Sequence, residues 1–564
     1  MRRSTLVVFF TLVATAVALH AQTFTKLEDF DGTDGSYSYG ALIKGADGLF
    51  YSTTYNGGDS QNCFLGCGTV FKMTAEGALT RLHRFDQPDG SNPQAGLVQA
   101  TDGNFYGTTG QGGSSYSGTI FQITSDGALT SLHSFTGADG SSPWAPLIQA
   151  TDGNLYGTTY YGGADGSGTI FRLSLGDTLS TLHSFTGADG SSPWAPLIQA
   201  SDGNFYGTTY LGGSTGNGSV FRITPEGALT TLHSFNIADG RSPFTALVEG
   251  FDGNFYGTTY LGGAYDCGTA FKITSGGSLT TLHDFDCRND GWPASALVQA
   301  SDGNFYGTTV YGGPSQNCFD GCGTVFLINP EGKLTTLYTF SGDDGENPQV
   351  ALLEAQAGRL YGTTRYGGAH GQGTVFSLQA FELLSVTKMG SGTISSIDRH
   401  VYCGTVCRYG YPEAAPVTLS AVPAPGYTFN GWTGCDQMNG SYCSVTMTSA
   451  KNITATFTPA NVTLSLLSFK PSYVRGGHLS AGTLTLSASA PPGGVTVALS
   501  SDHPGVAHPP SFVFIPGGKS SVQFAVNTFP VKSTTTVTIT ATAGASHVSG
   551  TLMVGTIFAP PAIH

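Results

Sequence analysis

Residues 179–227 read LSTLHSFTGADGSSPWAPLIQASDGNFYGTTYLGGSTGNGSVFRITPEG and contain one complete unit of a sequence repeat. It contains four short runs, LSTLHSF, APLIQA, NFYGTT and SVFRIT, which are rich in β-branched and aromatic residues and bounded by Gly, Asp, Asn and Pro. Such runs predict four β-strands. The Asp-Gly turns between them favour tight hairpins, because glycine accepts positive φ at no steric cost.

The same unit recurs along the chain. Its Tyr-(Gly/Ser)-Thr-Thr core begins at seven positions, Tyr51, Tyr106, Tyr156, Tyr206, Tyr256, Tyr306 and Tyr361. Residues 132–150 and 182–200 are identical, which indicates recent duplication. A period near 50 residues built from short strands is typical of propeller blades.

The phase of the repeats distinguishes a closed ring from an open stack. Residues 24–30, FTKLEDF, match the fourth strand of a unit, whereas residues 373–379, GTVFSLQ, match a third strand that no fourth strand follows. The first strand can therefore complete the last blade, and an open array would instead need polar caps at its ends. The sequence predicts an all-β fold in which residues 22–380 form a seven-bladed β-propeller.

Several motifs of this region also carry a family resemblance. DGNFYGTT, the Gly-Gly loop, GT(I/V)F and the LTxLHSF run resemble the tandem GloVer-type repeat proteins, exported bacterial chains grouped under choice-of-anchor names. The resemblance implies a repeat fold and no known activity. The anchor behind such names is not evident in the closing residues TIFAPPAIH.

The last third of the chain predicts two further β domains. Residues 381–459 resemble a divergent internalin-type B repeat, through Gly390 to Ile394, through Gly431, Trp432 and Cys435, and through the closing Ala455 to Phe457. We expect Trp432 to be core, since a small sheet needs a large apolar residue. Residues 460–558 alternate apolar and polar types and predict an immunoglobulin-like β-sandwich, and residues 559–564 form a tail.

The N-terminus predicts export. Residues 1–21 place Arg2 and Arg3 before an apolar run that ends in small residues, the layout of a secretory signal peptide with cleavage after Ala21 or Ala18. A membrane anchor is the alternative, but the apolar run is short for a span of about 20 residues. Sec export fits better than twin-arginine export, because Ser4 and Thr5 follow the arginines. We expect a bacterial protein that is secreted or held at the cell surface.

Composition narrows the choice of partners. The 564 residues include 23 Lys plus Arg and 37 Asp plus Glu, which gives a net charge of −14, and 81 glycines, which favour turn-rich β structure. An acidic chain without a basic run repels a phosphate backbone, so nucleic acid is not an expected partner. Phosphate-loop, metalloprotease and nucleophile-elbow motifs are missing from the sequence, and no cofactor is expected.

Ten cysteines occur in five local pairs, and an exported chain with such pairs predicts disulfides. Zinc binding is the alternative, but it needs two close pairs whose thiolates converge on one ion. The expected pairs are Cys63 with Cys67, Cys267 with Cys287, Cys318 with Cys322, Cys403 with Cys407, and Cys435 with Cys443.

Two repeated polar features suggest metal binding without requiring it. Histidines recur in the fourth strand at His83, His133, His183, His233 and His283. Because they fall on different blades near the perimeter, we expect packing and no shared metal ion. The Asp-Gly loops, such as residues 162–168, offer calcium-type ligands, but their spacing fits neither an EF-hand nor a nonapeptide repeat, and turn formation explains them.

Catalysis would need polar residues that break the repeat and converge. Residues that depart from the common loop in consecutive units are Arg241, Asp286, Arg288, Asp290, Asp343, Asp344 and Glu346. They could supply a carboxylate pair with a positioning arginine, as in a glycosidase. Free variation of an acidic loop surface is the alternative, and no catalytic residue is assigned.

Aromatic residues mark the expected ligand face. We define the ADG loop as the connection from a fourth strand to the next first strand, such as residues 186–194, and the GG loop as the connection from a second to a third strand, such as residues 210–218. Both emerge on one face of a propeller. The ADG loops place five aromatics beside the central channel, Tyr39, Trp144, Trp194, Phe244 and Trp292, and the GG loops add Tyr55, Tyr161, Tyr210, Tyr260, Tyr311 and Tyr366.

Aromatic faces suit the apolar faces of sugar rings, and packing between blades is the alternative role. The sequence therefore favours a non-enzymatic binding or adhesion protein whose partner is a polysaccharide or another surface protein. A carbohydrate-active hydrolase or lyase with its site at the channel mouth is the alternative. Both are drawn from architecture, which does not by itself name a function.

Overall fold

The computed structural model describes residues 23–556 except residues 177, 316 and 404–406. The predicted signal peptide at 1–21 and the tail at 559–564 lie outside the described residues. Within the described part the secondary structure consists of β-strands and contains no helix, so there is also no helix of a length and apolarity that could cross a membrane. The chain divides into two compact units, one ending at Leu383 and one beginning at Leu384.

The first unit consists of four-stranded antiparallel sheets, which we call blades. Blade 1 contains β2 (Ile43–Lys44), β3 (Phe50–Thr54), β4 (Thr69–Met73) and β5 (Leu79–Arg84). Blade 2 contains β6 (Val98–Gln99), β7 (Phe105–Thr109), β8 (Thr119–Ile123) and β9 (Leu129–Ser134). Blade 3 contains β10 (Ile148–Gln149), β11 (Leu155–Thr159), β12 (Thr169–Leu173) and β13 (Leu179–Ser184).

Three of the remaining blades repeat this arrangement, and the last one is shared between the two ends of the unit. Blade 4 contains β14 (Ile198–Gln199), β15 (Phe205–Thr209), β16 (Ser219–Ile223) and β17 (Leu229–Ser234). Blade 5 contains β18 (Val248–Glu249), β19 (Phe255–Thr259), β20 (Thr269–Ile273) and β21 (Leu279–Asp284). Blade 6 contains β22 (Val298–Gln299), β23 (Phe305–Thr309), β24 (Thr324–Ile328) and β25 (Leu334–Thr339). Blade 7 contains β26 (Leu353–Gln356), β27 (Arg359–Thr363), β28 (Thr374–Gln379) and β1 (Phe24–Asp29).

Blade 7 closes the ring as the phase of the repeats predicts. The sheet order is β1-β28-β27-β26, and Phe24 to Asp29 pair antiparallel with Leu378 to Thr374. The Phe24 ring stacks on Tyr338 of blade 6 with centroids 3.9 Å apart. The first strand of the chain is therefore held by the edge of blade 7 and by the neighbouring blade.

Neighbouring blades pack through the aromatic residues of their second strands. The Tyr206 ring of blade 4 stacks on Phe255 of blade 5 with centroids 4.1 Å apart, and Tyr51 of blade 1 stacks on Phe105 of blade 2 at 4.0 Å. Tyr361 of blade 7 meets Phe50 of blade 1 at 4.6 Å. The contact across the closure is thus of the same kind as the contacts elsewhere in the ring, and the all-β propeller prediction is confirmed.

The repeated aspartates of the turns have structural partners. The hydroxyl of the buried Tyr156 donates to the Asp152 carboxylate at 2.8 Å, and Tyr206 makes the same bond to Asp202 at 2.9 Å. A buried phenol needs such an acceptor because an unpaired polar group in the interior is unfavourable. Hydrogen bonding of the tyrosines therefore explains the Asp of the Asp-Gly-Asn turns.

The repeated histidines pair with the Asp of the ADG loop. The Nε2 of His183 donates to Asp189 at 2.9 Å, and His83, His133, His233 and His283 make the same contact with their own loop aspartates at 2.8 to 3.1 Å. Burial raises the pKa of Asp189, but hydrogen bonds from Thr186 and His183 outweigh it and hold that pKa below its usual value.

Blade 7 departs from this pairing. Because Phe30 occupies the place of Phe185, the positions of His183 and Asp189 are taken there by Glu28 and Asp34. Two carboxylates thus stand where five other pairs are a histidine and an aspartate. Burial raises the pKa of Asp34 to about 6, and the charges of Asp31 and Glu28 add to this effect.

All ten cysteines form disulfides, in the five pairs expected from the sequence, and none is free. Cys267 precedes β20 and Cys287 follows β21, so this bond joins the open end of one hairpin, with Cα atoms 5.4 Å apart. Cys63–Cys67 and Cys318–Cys322 each close a five-residue segment of a GG loop. No disulfide crosses from one blade to another.

The second unit contains four further sheets. The first two are built from β29 (Glu382–Met389), β30 (Gly392–Ser396), β31 (Tyr402–Cys403), β32 (Arg408–Tyr411), β33 (Pro416–Pro423), β34 (Tyr427–Thr433), β35 (Gln437–Asn439), β36 (Tyr442–Thr446) and β37 (Lys451–Pro459). Their orders are β32-β29-β37-β34 and β31-β30-β33-β36-β35. Trp432 is 5% exposed in the core they share, as expected for a core residue.

The other two sheets lie in the predicted immunoglobulin-like region. They are built from β38 (Leu464–Lys470), β39 (Tyr473–Arg475), β40 (Leu479–Leu486), β41 (Val495–Ser501), β42 (Ala507–His508), β43 (Phe512–Ile515), β44 (Ser521–Thr528), β45 (Thr535–Ala543) and β46 (Ser546–Gly555). Their orders are β38-β40-β44-β42 and β39-β46-β45-β41-β43, with one apolar core. The all-β prediction holds here, and the immunoglobulin-like assignment itself stays a prediction.

Candidate functional site

The ADG and GG loops of the propeller lie together on one face. Backbone hydrogen bonds join Ser141 of one ADG loop to Tyr161 of the GG loop in the following blade, with N to O distances of 2.8 and 3.0 Å in the two directions. Glu346 and Tyr366 make the same pair of bonds at 2.8 and 3.0 Å. These bridges fix the ADG loops against a rigid neighbour, so residues at the loop ends have defined positions.

A cavity of about 250 Å³ opens where the ADG loops meet the first strand of each blade. All seven blades contribute to its wall, which places it on the axis of the ring. Its lining consists of Tyr39, Ala41, Gln94, Trp144, Pro146, Trp194, Pro196, Phe244, Thr245, Ala246, Ala294, Ala296, Gln349, Val350 and Ala351. None of these residues is charged, so the cavity is apolar with a few uncharged polar groups.

One arc of the wall is aromatic. The Trp144 and Trp194 rings lie 4.7 Å apart between centroids, and Trp194 meets Phe244 edge to face at 6.0 Å. All three side chains are only partly buried. Ring faces and edges on adjacent blades therefore remain available to a ligand inside the cavity, which a fully packed aromatic core would not allow.

A second set of tyrosines supports this arc from behind. Tyr160 is 8% exposed and lies 4.4 Å from Trp144 and 5.2 Å from Trp194 between ring centroids. Tyr260 similarly meets Phe244 at 5.3 Å, and burial raises the pKa of Tyr260. Since these rings fix the orientation of the lining aromatics, the aromatic arc is preorganised.

Gly110 makes room for Trp144. A Cβ atom at residue 110 would lie 2.7 Å from the indole Nε1 of Trp144, closer than side chains tolerate. Blades 1, 3, 4 and 5 carry a tyrosine at this position, whereas blade 2 carries glycine. The missing side chain in blade 2 therefore lets the Trp144 indole lie directly against residue 110, whereas Trp194 lines the cavity although blade 3 carries Tyr160 at the equivalent position.

Polar groups in the wall have unmet hydrogen-bonding capacity. Among the described residues, the side-chain amides of Gln94 and Gln349 and the indole N–H groups of Trp144 and Trp194 make no hydrogen bond to another protein group. An amide offers both donors and an acceptor, and an indole offers a donor. The cavity thus combines aromatic faces with unpaired polar groups, a usual composition for a small-ligand site.

Four of the five aromatics predicted from the ADG loops line this cavity, and Trp292 does not. Counting back from the first strand, Ala294 occupies the position of Trp144, and Trp292 occupies that of Ser142. The Trp292 ring instead meets Tyr311 edge to face at 5.5 Å. The expectation that Trp292 belongs to the same ring is corrected, because the loop of blade 6 carries its tryptophan two residues earlier.

The tyrosines named for the GG loops do not line the cavity. Tyr55 packs against Tyr39 with centroids 5.4 Å apart, and Tyr210 packs against Trp194 at 6.0 Å. Tyr161 is 50% exposed on the loop face. Sequence reasoning missed Tyr160, although it stands at the same place as Tyr210, and it also missed the lining residues Gln94 and Gln349.

The loop aspartates offered as a catalytic pair have structural partners. Asp290 accepts from His283 at 2.9 Å, and Asp344 accepts from the Tyr338 hydroxyl at 2.5 Å. Both bonds repeat the histidine–aspartate contact of the other blades. Asp290 and Asp344 are therefore the regular loop aspartates and not departures from the repeat.

The other candidates do not converge either. Arg241 binds Asp266 through two bonds of 3.0 and 3.2 Å, and Asp286 accepts from the backbone N–H of Arg288 at 2.9 Å. None of the seven residues proposed for catalysis lines the cavity. In the part of the chain that the structure describes, no group of three or more His, Cys, Asp or Glu residues is arranged to hold a metal ion.

Comparison with known families identifies the repeats. The family model described as the Gloeobacter/Verrucomicrobia repeat matches residues 13–150, 100–319 and 247–393. The chain belongs to this repeat family. A second model, the divergent InlB B-repeat domain, matches residues 383–461 and agrees with the domain predicted there. No curated protein matches the sequence.

Solved structures resemble the repeat protein only distantly. A putative 6-phosphogluconolactonase from Bacteroides uniformis is 18% identical with a TM-score of 0.39, covering 58% of this chain and 89% of that one. A neuraminidase-like protein from A/bat/Guatemala is 11% identical with a TM-score of 0.29, covering 64% and 89%. An ulvan lyase is 8% identical with a TM-score of 0.27, covering 74% and 96%. We assign no function from similarities at this level.

Proposed function

We propose that this protein is an exported, non-enzymatic carbohydrate-binding protein whose ligand enters the cavity on the propeller axis. The observation that carries the proposal is the cavity wall itself, in which Tyr39, Trp144, Trp194 and Phe244 stand beside the unpaired amides of Gln94 and Gln349. Aromatic faces complement the C–H faces of sugar rings, and amides complement their hydroxyl groups.

The lack of reactive groups in the wall supports binding over catalysis. A glycosidase places two carboxyl groups about 5 to 10 Å apart across the scissile bond. The wall residues carry no carboxyl group, and Asp290 and Asp344 are engaged in structural hydrogen bonds. The hydrolase or lyase alternative therefore lacks its acid and base at this cavity.

Export is supported by the disulfides and by the N-terminal sequence. Five disulfides, including one in blade 5 and one each in blades 1 and 6, fit an oxidising compartment. Residues 1–21 have the layout of a signal peptide. A polysaccharide outside the cell is thus a partner that the protein would meet.

The test compares Trp194→Ala with Trp292→Ala on a panel of neutral and acidic glycans. Trp194 lines the cavity and Trp292 does not, so the two variants remove the same side chain inside and outside the proposed site. We expect Trp194→Ala to weaken glycan binding at least about tenfold, since aromatic stacking and area are lost. Trp292→Ala should bind as the wild type does.

Thermal unfolding of both variants separates binding from folding. The proposal is overturned if no glycan binds to the wild type, or if Trp292→Ala impairs binding as much as Trp194→Ala. It is also overturned if lost binding in Trp194→Ala accompanies a stability loss of about 3 to 5 kcal/mol, the cost of removing a buried aromatic side chain.

A further inference from the structure

Arg365 breaks the repeat at a position beside the cavity. The residue that follows the second strand of each blade by one or two positions is Tyr55, Gly110, Tyr160, Tyr210, Tyr260, Val310 or Arg365 in blades 1 to 7. Four of the seven are tyrosines that pack behind the cavity wall. Blade 7 alone places a cation there.

The guanidinium group of Arg365 lies over two tyrosine rings. Its Cζ is 4.7 Å from the centroid of Tyr39, a cavity-lining residue, and 4.5 Å from the centroid of Tyr366. Stacking on aromatic faces leaves the edge of the planar guanidinium free, because its N–H groups point outward in the plane. The two rings thus hold the group against Tyr39 of the cavity wall, although Arg365 is not itself among the residues that line the cavity.

The hydrogen-bonding capacity of Arg365 is unmet. Its Nε is buried without a hydrogen-bond partner, and within the described residues its side chain makes no ion pair. Two other cations of the propeller bind carboxylates, Arg241 to Asp266 at 3.0 Å and Lys272 to Asp252 at 2.7 Å. A buried donor without a protein partner is unfavourable, so an acceptor on a bound molecule would stabilise this group.

The surroundings favour a ligand anion over a protein carboxylate. The chain carries a net charge of −14, yet no acidic side chain lines the cavity. Glu346 lies on the adjoining loop, where it bridges Tyr366 through backbone atoms, and burial raises its pKa. Burial also raises the pKa of Tyr39 to about 12, so this phenol stays neutral and does not compete as an anion.

We propose that the cavity selects acidic saccharides and that Arg365 binds their carboxylate or sulfate group. Planar, bidentate recognition of such groups is what a guanidinium fork does best. Gln349 of the same blade adds an amide, so blade 7 forms the polar side of a site whose opposite side, on blades 3 to 5, is aromatic. This inference rests on the proposed carbohydrate-binding function and adds the charge of the ligand.

The probes are two pairs, each of which compares an acidic saccharide with its uncharged derivative. An oligogalacturonate is compared with its methyl ester, and a sulfated galactan oligosaccharide is compared with its desulfated form. The first pair tests a carboxylate and the second a sulfate ester as the source of the anion. Affinity is measured for the wild type, for Arg365→Tyr and for Arg365→Lys by titration calorimetry at low and at raised salt.

Arg365→Tyr restores the residue found in four other blades, and its melting temperature reports whether the fold is kept. We expect this substitution to lower the affinity for the acidic probe about tenfold to a hundredfold, the usual value of a charge-assisted hydrogen bond. The affinity for any neutral glycan should change by less than about twofold. Arg365→Lys should retain part of the affinity, because it keeps the charge but loses the fork. Raised salt should weaken the wild type on acidic probes only.

The outcomes separate this inference from the proposed function. Suppose that glycan binding requires Trp194. If the wild type then shows no preference for acidic forms, or if Arg365→Tyr binds acidic forms as well as the wild type does, the acidic specificity is overturned and the binding function stands. If no neutral or acidic glycan shows binding that depends on Trp194, both are overturned.

Discussion

Replacing Glu28 by histidine should stabilise the propeller at neutral pH. Five blades pair a fourth-strand histidine with a loop aspartate at 2.8 to 3.1 Å, whereas the strand that closes blade 7 sets Glu28 near Asp34. Lys26 does not neutralise this pair, because its Nζ binds Asp29 at 2.7 Å. Glu28→His would supply Asp34 with the donor that the other blades have.

The raised pKa of Asp34 determines the size of the expected stability change and the direction of its dependence on pH. Burial, with help from Asp31 and Glu28, raises that pKa from 3.8 to about 6. The folded state therefore holds a proton that the unfolded chain has already lost, so the stabilisation present below about pH 4 disappears as the pH rises through about 6. A shift of about two units corresponds to about 3 kcal/mol, which we reduce to about 1 to 2 kcal/mol because the side chain is partly exposed.

Thermal and urea unfolding at about pH 4 and about pH 7.5 provide the assay. At the higher pH we expect the free energy of unfolding of Glu28→His to exceed that of the wild type by about 1 to 2 kcal/mol. The variant should also lose less stability than the wild type when the pH is raised from the lower to the higher value. His183→Glu is the matched control, since it places the same carboxylate beside Asp189 and should produce the converse change. A Glu28→His protein that is no more stable than the wild type at the higher pH would show that the Glu28 and Asp34 carboxyl groups do not destabilise blade 7.

Two further predictions test the closure and the cavity wall. Removing residues 24–29 leaves the edge of β28 unpaired, and we expect aggregation or a large fall in melting temperature, so an unchanged melting curve would contradict the ring closure. Gly110→Tyr introduces the residue of four other blades but places its Cβ against the Trp144 indole, so the indole should move away from residue 110, with altered tryptophan fluorescence and altered glycan binding in a protein that still folds. Unaltered fluorescence and binding would show that Gly110 does not position Trp144.

The closed ring could be predicted from the sequence because the repeat array begins with a fourth strand and ends with a third strand. FTKLEDF at one end and GTVFSLQ at the other are incomplete in complementary ways, and the paired strands β1 and β28 follow from that fact alone. The disulfide pairs were equally accessible, because cysteines only four to twenty residues apart fall on one loop or one hairpin.

The site was only partly predictable. Aligning the loops by their aromatic residues assigned Trp292 to the ring, whereas alignment from the following strand gives Ala294. Arg365 was detectable as a departure from the repeated tyrosine, but its contacts with the Tyr39 and Tyr366 rings depend on packing that no spacing encodes. The role of the loop aspartates was hidden because their partner lies six or seven residues away on another element.

The shared blade also has a consequence for the order in which the chain folds. β1 leaves a ribosome or a translocation channel first, yet its hydrogen-bonding partner β28 is separated from it by more than 340 residues. Each interior blade can form from consecutive residues as it emerges, but the first strand must wait until every other blade exists. Contacts of such long sequence separation form slowly. The protein is therefore most prone to aggregate after β1 and the rest of blade 7 have been synthesised but before they pair, because both then expose an unpaired strand edge.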